Sequence, residues 1–283
     1  MTQRGDEEVG GDEAESDVSE PSFDDQSSRG PGSVSGSAEI LRALRSTPTL
    51  WLPFFVAGCV LAVIDRFRIR DPLPIEPPAS ETTLQIAYAG YPTGATATSR
   101  SIDAVVDLPL DVLLYALGLE LLAIGAVAIA GWVTMVRASD RTVSRRRFFA
   151  YAGGISVVYL LTHSGTAIDL DVSVNSLLVA LGAFAVLAFV AVRLFFLPIA
   201  VLYADPLRTA PSESWQRSRG HGLPILVLIV GIGVVPGWIA SVPYLGVVLS
   251  VTVVGTVHAV ALAVLYDSYN EVRSDGSLYP SSS

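Results

Sequence analysis

The chain has 283 residues, of which 51% are hydrophobic and only 16% are charged, and its mean hydropathy is +0.52. Soluble domains carry about 25% charged residues, so the composition excludes an ordinary soluble enzyme. The formal net charge is −9, and all 18 basic residues are arginines.

The first 37 residues differ in composition from the rest of the chain, because they hold ten acidic residues, two arginines and only isolated apolar residues. Such a segment cannot bury enough apolar surface to offset its chain entropy. We therefore predict a disordered, solvated acidic tail over residues 1–38, whose alternative role is to bind a basic partner. A second disordered tail is predicted over 273–283. The acidic, lysine-free composition resembles that of proteins from salt-loving archaea.

Residues 39–272 form the predicted membrane domain. A helix that crosses the hydrocarbon core needs about 20 apolar residues. The sequence has six such runs, of which the first is the shortest, and we predict an all-α, polytopic six-helix transmembrane bundle. An alternative pairs the last two runs as a hairpin inside the membrane, but each is long enough to cross alone. The predicted spans are 47–65, 108–136, 148–168, 174–204, 223–242 and 245–267.

Arginine excess in short loops indicates the cytoplasmic side of a membrane protein. The loop 137–147 holds five arginines and the loop 205–222 holds three, whereas the loops 169–173 and 243–244 hold none. We therefore predict a multi-pass protein of the plasma membrane with both termini in the cytoplasm.

The segment 66–107 is the predicted outside region. It begins with the one signal against this orientation, since Arg66, Arg68 and Arg70 directly follow the first span. Four prolines then predict an extended linker, the alternating residues 84–88 predict one short strand, and residues 101–107 predict a helical turn at the interface.

Three ionisable residues fall near the middle of predicted spans, where polar groups are costly and are functional candidates by default. They are Glu120, Arg193 and His258. At 1.5 Å per residue, all three lie within about 10 Å of one depth, so we expect that they can meet, with Glu120 and Arg193 as an ion pair. One interpretation is functional: the three residues form a relay for protons or ions, or a site for a solute. The other is structural: the ion pair fixes the register of the helices. Alternatively, Arg193 extends toward the cytoplasmic surface.

The loop 206–222 has the most specific pattern. Pro211 can begin a short helix, Glu213 and Arg217 are spaced as an i,i+4 ion pair, and Gly220 and Gly222 end the helix. We predict an interfacial helix with an aromatic anchor. The expected contacts with anionic headgroups on the cytoplasmic side are Arg145, Arg146, Arg147, Arg208, Trp215, Arg217 and Arg219.

Part of this region also resembles a known family. The matching residues are the helix end Phe196-Leu197-Pro198-Ile199-Ala200-Val201 and then Ser214, Trp215, Arg217, Arg219 and Gly220 before a new span. They resemble the core of a haloarchaeal six-helix membrane protein family of unknown function. That family is similar to the membrane domain found beside some glycerophosphodiester phosphodiesterases. The resemblance implies a membrane domain without known activity and supplies no catalytic residue.

Motifs of soluble enzymes are absent from the sequence: there is no lysine for a P-loop, no G-x-S-x-G and no H-E-x-x-H. We expect no catalytic residue, metal, cofactor or nucleic-acid partner, and we leave protein partners open. The prediction is a non-enzymatic integral membrane protein that organises the membrane or docks a partner. The alternatives are a small transporter or channel that uses Glu120, Arg193 and His258, and a membrane enzyme that acts on lipids.

Overall fold

The computed structural model describes residues 33–75, 88–98, 100, 108–163 and 174–275. Within these ranges the chain is helical and has no strand, which confirms the all-α prediction for this part of the protein. A π-helical turn, Val251–Gly255, joins the last two helices. The helices are α1 Ser33–Ser46, α2 Leu52–Arg70, α3 Leu110–Ser139, α4 Arg145–His163, α5 Val174–Arg193, α6 Leu197–Tyr203, α7 Ala210–Arg217, α8 Gly222–Ala240, α9 Gly246–Ser250 and α10 Thr256–Asp275.

Five helical segments are long and apolar enough to cross a membrane. Many of their large apolar side chains are exposed, for example Leu121, Val186 and Leu187, which are each more than 60% exposed. Exposed apolar surface on this scale indicates a protein whose surroundings are lipid. The five segments are Pro48–Arg70, Leu110–Ser139, Leu181–Tyr203, Gly222–Ala240 and Gly246–Ser268.

Helix α4 is not among these five, because it begins with three arginines that lower its hydropathy. It nevertheless lies antiparallel to α3. The rings of Trp132 and Phe148 are 5.0 Å apart between centroids, and the hydroxyl of Tyr159, eleven residues further along, donates to Glu120. Helix α4 therefore lies along α3 from the level of Trp132 to the level of Glu120. Residues 164–168 of the predicted third span lie outside the described ranges.

The helices end in two groups. At the end that we call the arginine-rich end, side chains connect the termini of α1, α3, α4, α6 and α10. Residues 71–75 and 241–245 lie at the opposite end, which we call the loop end. The connecting pairs are Ser139 with Tyr203 at 2.5 Å, Arg141 with Asp267 at 2.7 Å, Arg147 with Asp205 at 3.2 Å and Ser268 with Glu39 at 3.2 Å.

The predicted fourth span, 174–204, is not one helix. Helix α5 ends at Arg193, and α6 begins at Leu197 with Pro198 in its first turn. Proline is favoured there and disfavoured in a helix interior, because it lacks an N–H and clashes with the preceding turn. Helix α5 lies beside α8, and most of its apolar side chains between Leu181 and Val190 are exposed, whereas α6 is buried in the core.

Helix α1 was not predicted, and it includes residues 33–38 that were assigned to the acidic tail. Leu44 of α1 is buried against Val260 of α10, whereas Leu41 and Arg42 are exposed. At the other terminus, α10 continues to Asp275, past the predicted boundary at 272. The predicted strand at 84–88, except Tyr88, and the predicted turn at 101–107 lie outside the described residues.

Candidate functional site

Glu120 belongs to a buried polar cluster formed by α2, α3 and α4. Its Oε2 accepts a hydrogen bond from Nη2 of Arg68 at 2.5 Å and a second from the hydroxyl of Tyr159. Arg68 is only 3% exposed. The expected Glu120–Arg193 ion pair is not formed, because α2 and not the end of α5 lies beside α3 at this depth.

Arg68 connects Glu120 to a second carboxylate. Its Nη1 lies 3.5 Å from Oδ1 of Asp65, one helical turn earlier, and donates to the backbone oxygen of Thr98 at 3.2 Å. The guanidinium thus has partners on three separate parts of the chain. Such multiple hydrogen bonds are what a buried charge requires to offset its desolvation.

Residues 88–98 insert between the helices, although they were predicted to be an outside linker. Asp65 holds them: its Oδ2 accepts from the backbone N of Ala97 at 2.9 Å, and its Oδ1 accepts from the hydroxyl of Thr98 at 2.7 Å. The backbone of Gly94 lies so close to Ser250 that a Cβ on Gly94 would be 2.5 Å from the backbone of α9. Irregular backbone among membrane helices is tolerated where protein surrounds it, as here.

This inserted segment also carries two tyrosines into the bundle. Burial raises the pKa of Tyr91 to about 12, and burial raises the pKa of Tyr88 as well. Both phenols therefore remain neutral throughout the physiological pH range. The segment brings no charge of its own into the interior between Tyr88 and Thr98.

A second ion pair lies where α2 ends. Nη2 of Arg100 donates to both carboxylate oxygens of Asp71, at 2.9 and 2.7 Å, and both side chains are buried. Arg68 and Arg100 are two of the four arginines predicted to lie outside. Because each is neutralised within the protein, only Arg66 and Arg70 are exposed at this end.

Arg193 lies at the end of α5. Its guanidinium covers the rings of Phe189, at 5.0 Å, and Trp215, at 5.3 Å. Its backbone oxygen accepts from the hydroxyl of Ser214 at 2.9 Å. Gly222, the first residue of α8, lies beside the preceding residue of α5, so Arg193 lies at the end of α5 and level with the start of α8.

His258 is completely buried in α10. Its ring lies between those of Tyr88 and Phe195, with 5.7 Å between centroids in each case. Neither ring nitrogen has a hydrogen-bond partner in the part of the chain that the structure describes. The structure therefore places Glu120, Arg193 and His258 at three separate sites and does not bring them together.

Helix α7 confirms the predicted short helix and its i,i+4 pair, with Glu213 and Arg217 2.6 Å apart. Arg217 also donates to the backbone oxygen of Tyr266 at 3.0 Å and lies 3.8 Å from the centre of its ring. Glu213 accepts from the hydroxyl of Tyr266 at 2.6 Å. Arg217 therefore attaches α7 to α10 and does not face headgroups as expected. The ring of Trp215 packs edge-on against the ring of Phe189 in α5.

Gly220 has a positive φ of 83° just after α7, as expected for a residue that ends a helix. Gly222, in contrast, begins α8 and does not terminate α7. Arg147, another predicted headgroup contact, is 20% exposed and pairs with Asp205.

The remaining arginines at the arginine-rich end are exposed and have no carboxylate partner within the described ranges. Arg42 and Arg45 belong to α1, a helix that was not predicted, so they were not among the expected headgroup contacts. The set is Arg42, Arg45, Arg137, Arg145, Arg146, Arg208 and Arg219. Among the described residues, no group of three or more His, Cys, Asp or Glu side chains could hold a metal ion.

No family model, no curated protein and no solved structure matches the chain. The resemblance to the haloarchaeal family therefore stays a prediction.

Proposed function

We propose that the protein is a non-enzymatic integral membrane protein whose arginine-rich end binds the anionic headgroups of the cytoplasmic leaflet. The observation that carries this proposal is the contrast between the two ends. Among the residues that the structure describes, seven arginines at the arginine-rich end are exposed without a carboxylate partner, whereas Arg68 and Arg100 are buried and paired toward the loop end. Each arginine near an anionic membrane surface contributes about 1 kcal/mol to its attraction. This surface would organise lipids or dock a partner at the membrane.

The proposed topology has six crossings with both termini in the cytoplasm. Helix α4 provides the sixth crossing, since it runs along α3 between the two ends. Helix α8 and the segment Gly246–Asp275 also extend between the two ends, which favours two crossings over a hairpin inside the membrane. An archaeal, halophilic source and the haloarchaeal family belong to this proposal as predictions from composition and resemblance.

The transporter or channel alternative has less support. Its three residues lie at separate sites, and Glu120 is held by Arg68 and Tyr159. A network of this kind favours a structural role for the buried charges.

Lipid enrichment tests the proposal. The protein is reconstituted into small nanodiscs with equal amounts of anionic and neutral lipid, and the lipids that co-purify are quantified. We expect anionic lipid to be enriched, and the enrichment to fall as salt is added, because salt screens exposed charges. Joint substitution of four of the seven arginines by Gln should lower the enrichment, whereas Arg66→Gln with Arg70→Gln is the matched control at the loop end. Equal enrichment in both variants would contradict the proposal. The four are Arg145, Arg146, Arg208 and Arg219.

A further inference from the structure

An open apolar groove lies between α2 and α3 in the half of the bundle next to the arginine-rich end. Its volume is about 540 Å³. Its buried floor contains small residues, such as Ala57 and Ala130, and its exposed rim carries larger ones, such as Val56, Leu122 and Ile129. A groove with small residues below and branched ones at the rim has the shape that accepts a hydrocarbon chain.

Arg137 lies at one end of this groove, in the last turn of α3. Its side chain is exposed, and no carboxylate pairs with it in the part of the protein that the structure describes. We propose that the groove holds one hydrocarbon chain of an anionic phospholipid whose phosphodiester binds Arg137. This inference rests on the proposed function and assigns it one specific lipid site.

The length of the groove supports a lipid as the occupant. Its wall on α3 extends from Leu121 to Val133, which is about 18 Å at 1.5 Å per residue. One leaflet contributes about half of a hydrocarbon core that is about 30 Å thick. Arg137 follows one helical turn later, where a lipid whose chain fills the groove would place its phosphate. The apolar groove thus matches the length of one lipid chain, and the arginine at its end matches the charged phosphodiester of the same lipid.

A second copy of the chain fits the same groove less well. A two-fold dimer through this surface would bring the Arg137 side chains of both copies toward each other. The residues that line the groove include no acid to offset that repulsion. An anionic phosphodiester supplies the missing charge directly, as a charge-assisted hydrogen bond to the guanidinium.

The groove can be filled without disturbing the protein. A Cβ added at Gly125, which lines the groove, meets no atom within 4 Å. Gly118 lies two turns earlier on α3, has equally open space and is not part of the groove lining. Gly125→Leu should therefore occupy the groove, and Gly118→Leu is its matched control. Equal unfolding temperatures of the two variants establish that both are folded.

Native mass spectrometry measures the lipid that each variant retains from an equimolar mixture of phosphatidylglycerol and phosphatidylcholine with identical chains. The wild type and Gly118→Leu should retain one phosphatidylglycerol, and Gly125→Leu should lose it. Arg137→Gln should keep a lipid but lower the preference for phosphatidylglycerol about tenfold, since its charge-assisted hydrogen bond is removed.

Wild-type lipid retention by Gly125→Leu would overturn the proposal, and so would an unchanged lipid preference in Arg137→Gln. A wild-type dimer without lipid that Gly125→Leu dissociates would assign the groove to a second copy and also overturn it. The four-arginine variant of the nanodisc experiment should show lower general anionic enrichment but keep the groove lipid. If the nanodisc enrichment is seen but no groove lipid is retained, this inference fails and the proposed function stands. If the groove lipid is retained but the nanodisc enrichment is absent, the proposed function fails.

Discussion

At the scale of single residues, Arg68 connects parts of the chain that lie far apart in sequence. It binds Asp65 on its own helix, Glu120 on α3 and the backbone of Thr98 in the inserted segment. Its removal would leave two buried carboxylates without their cation, and uncompensated buried charge is among the most destabilising changes in proteins.

We predict that Arg68→Met lowers the free energy of unfolding by about 3–5 kcal/mol, because it breaks a buried charge network. Adding Glu120→Gln to Arg68→Met should recover part of this loss, since one orphaned carboxylate is removed. Denaturant unfolding in detergent measures both effects. Arg66→Met is the control, because Arg66 is exposed on the same helix; an equal loss in that variant would contradict the prediction.

Gly94 is required by a close approach of two backbones. We predict that Gly94→Ala destabilises the protein by about 1–3 kcal/mol, because the new methyl group would overlap the backbone of Ser250 and cannot be accommodated by a rotamer change. Thermal unfolding tests this, with Gly118→Ala as a control in open space. The control should be neutral or slightly stabilising, since Ala is a better helix former than Gly. Equal stability of Gly94→Ala and wild type would show that the segment moves away at little cost.

At the scale of elements, α7 is too short to be stable alone and is held by its contacts with α5, α6 and α10. A helix of eight residues has few internal hydrogen bonds to offset nucleation, so tertiary contacts determine its stability. Arg217, Glu213 and Tyr266 supply the polar contacts between α7 and α10.

We predict that Arg217→Ala speeds backbone hydrogen exchange in residues 210–217 about tenfold or more, because it removes charge-assisted bonds to both Glu213 and Tyr266. Arg219→Ala should leave exchange in α7 unchanged, because Arg219 is exposed and has no carboxylate partner among the described residues. Mass spectrometry of the exchanged protein compares the two variants. Equal exchange in both would mean that Arg217 does not hold the helix.

At the scale of the whole molecule, the arrangement of charge follows from which arginines are paired. The predicted outside arginines Arg66, Arg68 and Arg70 argued against the orientation, but Arg68 is neutralised inside the protein. Pairing of Arg100 with Asp71 reduces the free positive charge there further. The exposed arginines therefore favour the orientation with the arginine-rich end in the cytoplasm.

Cysteine labelling in intact cells tests this topology. In a Cys59→Ser background, a membrane-impermeant maleimide should label Ser241→Cys at the loop end. Ser144→Cys and Ser212→Cys should react only after the cells are opened. Ser173→Cys should react from outside if α4 crosses the membrane. Labelling of Ser173→Cys only in opened cells would mean that α4 does not cross, and labelling of Ser144→Cys in intact cells would reverse the orientation.

The sequence alone determined the features that depend on short stretches of chain. Hydropathy is summed over about 20 neighbouring residues, so the membrane class, the helical fold and the approximate helix positions were predictable. The Glu213–Arg217 pair is equally local, because i and i+4 always face each other on a helix. Even the break before Pro198 has a local cause, although hydropathy masked it.

Only the tertiary structure decided which distant residues meet. Depth along separate helices suggested that Glu120 and Arg193 could pair, but depth does not specify which helices are neighbours. Glu120 and its actual partner Arg68 are 52 residues apart, and the inserted segment reaches Ser250 over 155 residues. Contacts over such separations depend on how all the helices pack against one another, and no pattern of spacing within one helix encodes that arrangement.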